Sequence, residues 1–314
     1  MIDGTGLRGV RDRVLMLKSL HTLKDLQDEE LSILAERMRL RRFETNDVIF
    51  EETDTIDSVF IVLEGAVRIE RGGNYLGTMD RGRAAGLLAV LAGDNRGVLA
   101  TVLEPTVTFE LAVPVLMRAL TRFPTLLGRF IRIIAGTLLA SRGELPRQGP
   151  SEWRDSEQRL LRPRTLAERM LLVRRSSGFF SDANLAAVYE VARRDAEVHL
   201  SAGEHLWDRG DPATAAFVID FGRVKCTADD GTVATVASPY LLGDLEALAS
   251  LPRPYAAVAE TDVTLLRIER ETFIAVVESH SDIGLTMLSR HSSELLEIGW
   301  ATLGYPGMAP GRKD

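Results

Sequence analysis

The chain has 314 residues, 45% of them hydrophobic and 26% charged, and a net charge of −7. These totals exclude wholesale disorder, leave room for two ordinary domains, and argue against a general nucleic-acid binder. The one cysteine, Cys226, excludes a disulfide within the chain and suits the cytoplasm.

No zinc-type spacing occurs and the five histidines are scattered, so no metal or cofactor is expected. The start, Met1-Ile2-Asp3-Gly4-Thr5-Gly6-Leu7-Arg8, lacks a continuous apolar core and does not read as a signal peptide. The most apolar window, 125–140, contains Arg129 and Arg132 and is too short to span a bilayer. A soluble protein with no membrane partner is expected.

From 11 to 42 the pattern is helical. Val14, Leu15, Leu17, Leu20, Leu23 and Leu26 recur at three and four, and Asp28 opens a second helix carrying Leu31, Leu34 and Met38. Thr45-Asn46-Asp47 is a turn, Val48-Ile49-Phe50 and 59–63 read as strands, and Glu64-Gly65 is expected to turn the chain. Val67 and Ile69 alternate with charges before a hairpin at Gly72-Gly73-Asn74. A loop and short helix follow over 82–92, then a strand with Val107, Phe109 and Leu111. Residues 114–139 return to helical spacing. Their apolar side, including Leu127 and Leu138, suits packing on the chain's own strands and a homodimer seam equally.

The stretch 143–164 is polar, holds Pro146, Pro150 and Pro163, and reads as a linker with a helix around 153–161. Its arginines are interleaved with Glu152, Asp155, Glu157 and Glu168, which fits a salt-bridged helix better than a nucleic-acid groove. Beyond it the plan begins again. Residues 165–175 are helical, Ser181-Asp182 is expected to cap the next helix, and Ser201-Ala202-Gly203-Glu204 stands where the turn at 45–47 stood. Phe60 and Phe217, Gly65 and Gly222, Val67 and Val224, Gly86 and Gly243, Leu88 and Leu245, Arg96 and Arg253 are all separated by 157 residues. The register runs without a gap, and the period is too long for a solenoid, so the chain holds two copies of one domain. The expected organisation is a first domain at 1–142, the linker at 143–164, a second domain at 165–300 and a flexible tail at 301–314.

Each copy runs helices, then about eight short strands with tight turns and one short internal helix, then a closing helix. That order predicts an α+β, mainly β fold: two tandem antiparallel barrels of jelly-roll type, each flanked by helices.

The densest chemistry lies at Leu241-Leu242-Gly243-Asp244-Leu245-Glu246-Ala247-Leu248, followed by Pro252-Arg253-Pro254-Tyr255-Ala256-Ala257. A tight glycine opening a short helical turn presents backbone N–H groups to an anion. An arginine ten residues later adds a forked cation. The acid can accept from a sugar hydroxyl. This arrangement resembles the phosphate-binding cassette of the cyclic-nucleotide-binding domain, Gly-Glu-Leu-Ala-Leu followed by Arg-(Ser/Thr/Ala)-Ala. The segments Phe60-Ile61-Val62-Leu63-Glu64-Gly65-Ala66-Val67 and Phe217-Val218-Ile219-Asp220-Phe221-Gly222-Arg223-Val224 are similar to that family's Phe-Ile-(Val/Leu)-x-x-Gly-x-Val signature.

The resemblance implies that the arginine and backbone N–H groups meet a cyclic phosphate and the acid meets the ribose 2′-OH. In the second copy it places the site on Leu242, Gly243, Asp244, Leu245, Arg253, Pro254 and Tyr255. Asp244 is one methylene shorter than the family's Glu, Pro254 removes an N–H donor, and Tyr255 replaces a small residue. In the first copy the corresponding residues are Gly86, Leu87, Leu88, Arg96 and Gly97, and Leu87 cannot accept from a ribose hydroxyl, so this cassette is degenerate.

Arg174-Arg175-Ser176-Ser177 resembles a basophilic-kinase target but suits a solvated helix end, and Trp300 and Tyr305 could lie over a bound base or simply pack in the tail. Family members that bind DNA carry a winged helix-turn-helix after the barrel. Here 271–298 holds material for one or two helices only, so no direct DNA binding is expected. No Ser/His/Asp, Cys/His or metal cluster recurs, so an enzyme is not expected. The leading expectation is a regulatory sensor binding cAMP or cGMP mainly in the second domain and signalling to a protein partner the sequence does not identify. The alternatives are a ligand-independent scaffold with two degenerate pockets, or a sensor of another phosphate-bearing messenger such as a cyclic dinucleotide.

Overall fold

A computed structural model of the chain describes residues 9–19, 26–94, 97–143, 145–146, 163–194 and 196–298. It separates into two compact units, Met1–Phe130 with Leu288–Asp314, and Ile131–Met287.

The first unit begins with α1 (Val10–Lys18) and α2 (Asp28–Arg37). Arg13 on α1 donates to the carbonyls of Ala35 and Met38 at 3.0 and 2.8 Å, satisfying acceptors that the end of α2 leaves open. The helical spacing read as far as residue 42 stops earlier. At Met38 the backbone turns extended, and β1 (Arg39–Phe43) pairs along β6, with Leu40 opposite Phe109. The alternation of Leu40 with arginines is the strand period, which a helical count over so short a stretch absorbs.

After β2 (Val48–Phe50) come β3 (Ser58–Arg71), β4 (Asn74–Met79), β5 (Ala84–Ala85), α3 (Leu87–Ala92) and β6 (Val98–Ala112). They make one antiparallel sheet in the order β1-β6-β3-β4, with β2 on β6 and β5 on β3. Glu64-Gly65, expected as a turn, is a bulge inside the continuous strand β3. Register shifts flank it, and Gly65 sits at φ 88 because a Cβ there would lie 2.7 Å from the Pro105 carbonyl of β6. The hairpin at Gly72-Gly73 forms as expected, with both residues at positive φ.

The helical run from 114 divides into α4 (Val113–Arg122) and α5 (Pro124–Arg142) with a bend of 107° between them. Pro124 forces Phe123 out of helical geometry. No single described helix is long and apolar enough to cross a membrane.

In the second unit the end of α5 is followed by α6 (Leu166–Ser176), α7 (Gly178–Ser181) and α8 (Leu185–Arg194). Thr165 and Glu168 form a capping box on α6. The cap of α8 is Asn184, whose Oδ1 accepts from the Ala187 N–H at 2.9 Å, and not Ser181-Asp182, which belong to the end of α7. Ser176 is buried with its hydroxyl on the Val173 carbonyl, so the Arg-Arg-Ser-Ser motif does not present that serine.

Then follow β7 (Ala196–Leu200), β8 (His205–Trp207), β9 (Ala215–Phe221), β10 (Arg223–Thr227), β11 (Val233–Ala237), β12 (Tyr240–Leu242), α9 (Asp244–Ala249), β13 (Ala256–Ala259), β14 (Val263–Glu269), α10 (Arg270–Ser279) and α11 (Ser281–Ile298). The strands form two antiparallel sheets, β11-β10-β13-β8 and β12-β9-β14-β7. The 157-residue offset survives in the elements, since β1 and β7, α3 and α9, α4 and α10, and α5 and α11 begin that far apart. The two closing helices also contain the boundaries between the compact units. The expected linker helix at 153–161, the tail at 301–314, Trp300 and Tyr305 lie outside the described residues.

Candidate cyclic-nucleotide sites

In the second unit the cassette is built where β12 ends and α9 begins. Gly243 is the N-cap of α9 at φ 78, and its carbonyl accepts from the Ala247 N–H at 3.3 Å. Leu242 and Leu245 face the core, while Asp244, the first helical residue, is half-buried. Arg253 returns beside them on the segment before β13, held by its own N–H to the Asp211 carbonyl at 2.9 Å.

The Arg253 side chain turns inward. It is 3% exposed, and Nη1 donates to the Gly243 carbonyl at 3.0 Å while Nη2 donates to the Ala215 carbonyl at the start of β9. The guanidinium lies 4.0 Å from the centroid of the Trp207 ring, and Glu246 Oε2 stands 3.8 Å from Nη1. Any Cβ at residue 243 would collide with that guanidinium, which is why the position needs glycine as much for space as for its φ. Burial lowers the Arg253 pKa, and Glu246 foremost, then Tyr255, Asp244 and Asp211, act in the opposite sense.

The interior next to this group is filled. Tyr255 has no exposed surface, its ring centroid is 5.7 Å from that of Trp207, and its carbonyl accepts from the Trp207 indole N–H at 3.0 Å. Phe217, Leu242 and Cys226 complete the same core. Burial, then Glu246, pushes the Cys226 thiol up to about 12 and raises the Tyr255 phenol well above its usual value. Pro254 is half-buried, and its carbonyl accepts from Arg209 Nε at 3.0 Å.

In the first unit Gly86 again caps the short helix, at φ 83, and Leu87 is half-buried at the position of the acid. Leu88 is buried and Gly97 sits at φ 73. Arg96 lies outside the described residues. A small apolar cavity, with room for about one water-sized sphere, is lined by Ile69, Met79, Gly86, Leu88, Val98 and the α11 residue Leu296 among others. Its cover is pinned by Ser289 and Ser293, whose hydroxyls both donate to the Ala92 carbonyl at 3.3 Å.

The structure therefore gathers Gly243, Asp244, Leu245, Arg253 and Tyr255 around one corner of the second unit. Sequence reasoning passed over Glu246, Trp207 and Cys226, which shape that corner. A signal existed: 157 residues earlier the same positions hold Ala89, Phe50 and Ile69, so the second copy differs there by a carboxylate, an indole and a thiol.

The cyclic nucleotide-binding domain family model matches residues 40–123 and 197–280, more than half of the chain. Over 82 residues the chain is 34% identical to an uncharacterized NTE family protein of Mycobacterium tuberculosis, covering 26% of this chain and 14% of that protein's length. Among solved structures, the regulatory domain of Toxoplasma gondii protein kinase A with cAMP is 15% identical, covering 94% of this chain and 99% of that one, with a TM-score of 0.34. The regulatory subunit of a cAMP-independent protein kinase A from Trypanosoma cruzi, bound to guanosine, is 15% identical over 88% and 87%, at 0.36. The N-terminal domain of a transcriptional regulator from Streptomyces coelicolor is 27% identical over 40% and 92%, at 0.35. On its two matched segments, this chain belongs to the cyclic nucleotide-binding domain family, with two copies in tandem.

Proposed function

We propose that the protein is a non-enzymatic regulatory module that acts through protein contacts in the cytoplasm, and that its second domain holds its shape without a cyclic nucleotide. The observation that carries this is the state of Arg253. The cation of the second cassette is bonded to Gly243 and Ala215, stacked on Trp207 and faced by Glu246, with Tyr255 filling the space beside it. A nucleotide would have to break each of these and move a fully buried tyrosine. In the first domain Leu87 offers a ribose nothing to bond, and the adjoining cavity is apolar. On this reading the domains at 1–142 and 165–300, joined by 143–164 and followed by the tail at 301–314, are interaction bodies suited to a homodimer.

A second reading rests on the retained pair of Gly243, at φ 78, and Arg253 ten residues later. Under it, cAMP or cGMP binds at Leu242, Gly243, Asp244, Leu245, Arg253, Pro254 and Tyr255 and displaces the internal contacts. Thermal unfolding with cAMP, cGMP and a cyclic dinucleotide separates the two. The module reading expects no shift at millimolar ligand. Saturable stabilisation, about 2.7 kcal/mol at a hundredfold excess over Kd, absent in Arg253→Ala, would establish the sensor instead.

A further inference from the structure

Resting on the reading that the second domain works without a nucleotide, we infer that Glu246 is a resident anion: its carboxylate holds the cassette arginine where a ligand's phosphate would otherwise hold it. Glu246 lies in the middle of α9 between Leu245 and Ala247, both buried, and is itself 1% exposed. A carboxylate taken so far out of water persists only against a partner charge, and the charge facing it is Arg253, 3.8 Å away. The pair is not a closed fork. Glu246 Oε1 has no hydrogen-bond partner, and the Tyr255 hydroxyl nearby has none either. The carboxylate thus acts on Arg253 mainly through charge, and the Tyr255 hydroxyl remains a buried donor for an incoming oxyanion.

The sister copy points the same way. At the corresponding place it has Ala89, buried, and where the second copy has Tyr255 it has Val98. An uncharged small residue at this point in the short helix is therefore compatible with the fold. Glu246 is dispensable for the architecture and bears on the occupancy of the site. Remove its charge, and Arg253 loses the carboxylate nearest to it and is left buried against carbonyls, a ring and the weaker influence of Asp244 and Asp211. That state calls for an anion of the same chemistry, a phosphate or phosphodiester oxygen pair.

The test compares the 314-residue chain with Glu246→Ala, Glu246→Gln and Glu246→Ala/Tyr255→Val. Unfolding temperature is followed against inorganic phosphate and against cAMP, with calorimetry for affinity. The expected result is at least tenfold tighter binding of inorganic phosphate in the Glu246 variants than in the wild type, an unfolding temperature that climbs with phosphate only in the variants, and loss of the gain when Arg253→Met is added. The double variant should extend the gain to cAMP. Folded variants that bind phosphate no better than wild type overturn the inference and leave the module reading standing. Wild type binding cAMP while the variants bind it still more tightly overturns the module reading and keeps Glu246 as a competitor for Arg253. Wild type and variants binding cAMP with equal affinity removes both. Glu246→Gln keeps the shape of the side chain, and if neither single variant folds even in saturating phosphate, anion replacement has failed and the inference with it.

Discussion

The guanidinium carbon of Arg253 lies 4.0 Å from the centroid of the Trp207 ring, the distance of a full cation–π contact inside a protein core. The same indole donates to the Tyr255 carbonyl and packs on Phe217, so Trp207 joins β8 to both neighbours of the cassette. Trp207→Ala should destabilise the second unit by about 3–5 kcal/mol. Trp207→Phe, which installs the residue at position 50 of the first copy, should cost about 1–2 kcal/mol, the loss of one buried hydrogen bond and part of the ring contact. Urea unfolding followed by tryptophan-independent circular dichroism measures both. Equal costs for the two would show that ring area, not the cation and the N–H, is what matters there.

How much of this was legible beforehand depends on the physical source of each feature. The repeat was, because Gly65 and Gly222 must admit a neighbouring carbonyl, and such backbone demands are written in residue type. The bend at Phe123 was also readable from Pro124, although helical spacing carried straight across it. The path of β1 was not, since five residues with three charged positions have no period strong enough to oppose a helix. The state of the cassette was hidden for a different reason. Gly243, Asp244 and Arg253 are equally consistent with an arginine facing a ligand or facing its own core, and the choice is made by Trp207 and Ala215, which lie outside the motif, and by Glu246, at the motif's alanine position.

The glycines give a graded series. A Cβ on Gly222 would collide with the Asp262 carbonyl and the Thr261 hydroxyl, at φ 85, whereas a Cβ on Gly72 meets nothing within 4 Å at φ 56. Gly72→Ala carries only the left-handed backbone cost, about 1 kcal/mol. Gly222→Ala adds a backbone collision where two strands change sheet, and should cost about 3 kcal/mol or more. Denaturant midpoints would decide it, and a Gly222→Ala as mild as Gly72→Ala would mean the strand can shift at no cost.

Cys226 reports on the same interior. Its thiol is favoured in the neutral form in the folded chain, with a pKa raised from 9.0 to about 12. A raised acid pKa contributes stability that is whole below the unfolded value and is lost as pH climbs towards the folded one. The second unit should therefore weaken progressively from about pH 9 upward, with Tyr255, shifted in the same direction, adding to the slope. Cys226→Ala should flatten part of it. At pH 8 the native thiol should react with a disulfide reagent only as fast as the unit opens, and immediate labelling would contradict the burial.

Arg164 and Asp220 make the sharpest asymmetry. Arg164 Nε donates to Asp220 Oδ2 at 2.5 Å and Nη2 pairs with Oδ1, while the Arg164 N–H donates to Glu197 at 2.7 Å. The carboxylate side chain is 6% exposed but the guanidinium 23%, so the two ends differ in what deletion leaves behind. Arg164→Ala strands a buried carboxylate and should cost about 3 kcal/mol. Asp220→Leu leaves an arginine that can swing to water, and it installs the residue found at position 63 of the first copy, which is fully buried in the same strand arrangement. That change should cost about 1 kcal/mol or less, and Arg164→Ala should be largely relieved when Asp220→Leu is added, because the stranded charge is then gone. Urea unfolding of the three variants measures the coupling directly. If Asp220→Leu proves the costlier single change, the pair's value lies in the attraction between its charges and not in the desolvation of one of them, and the first copy's leucine would be no guide to the second.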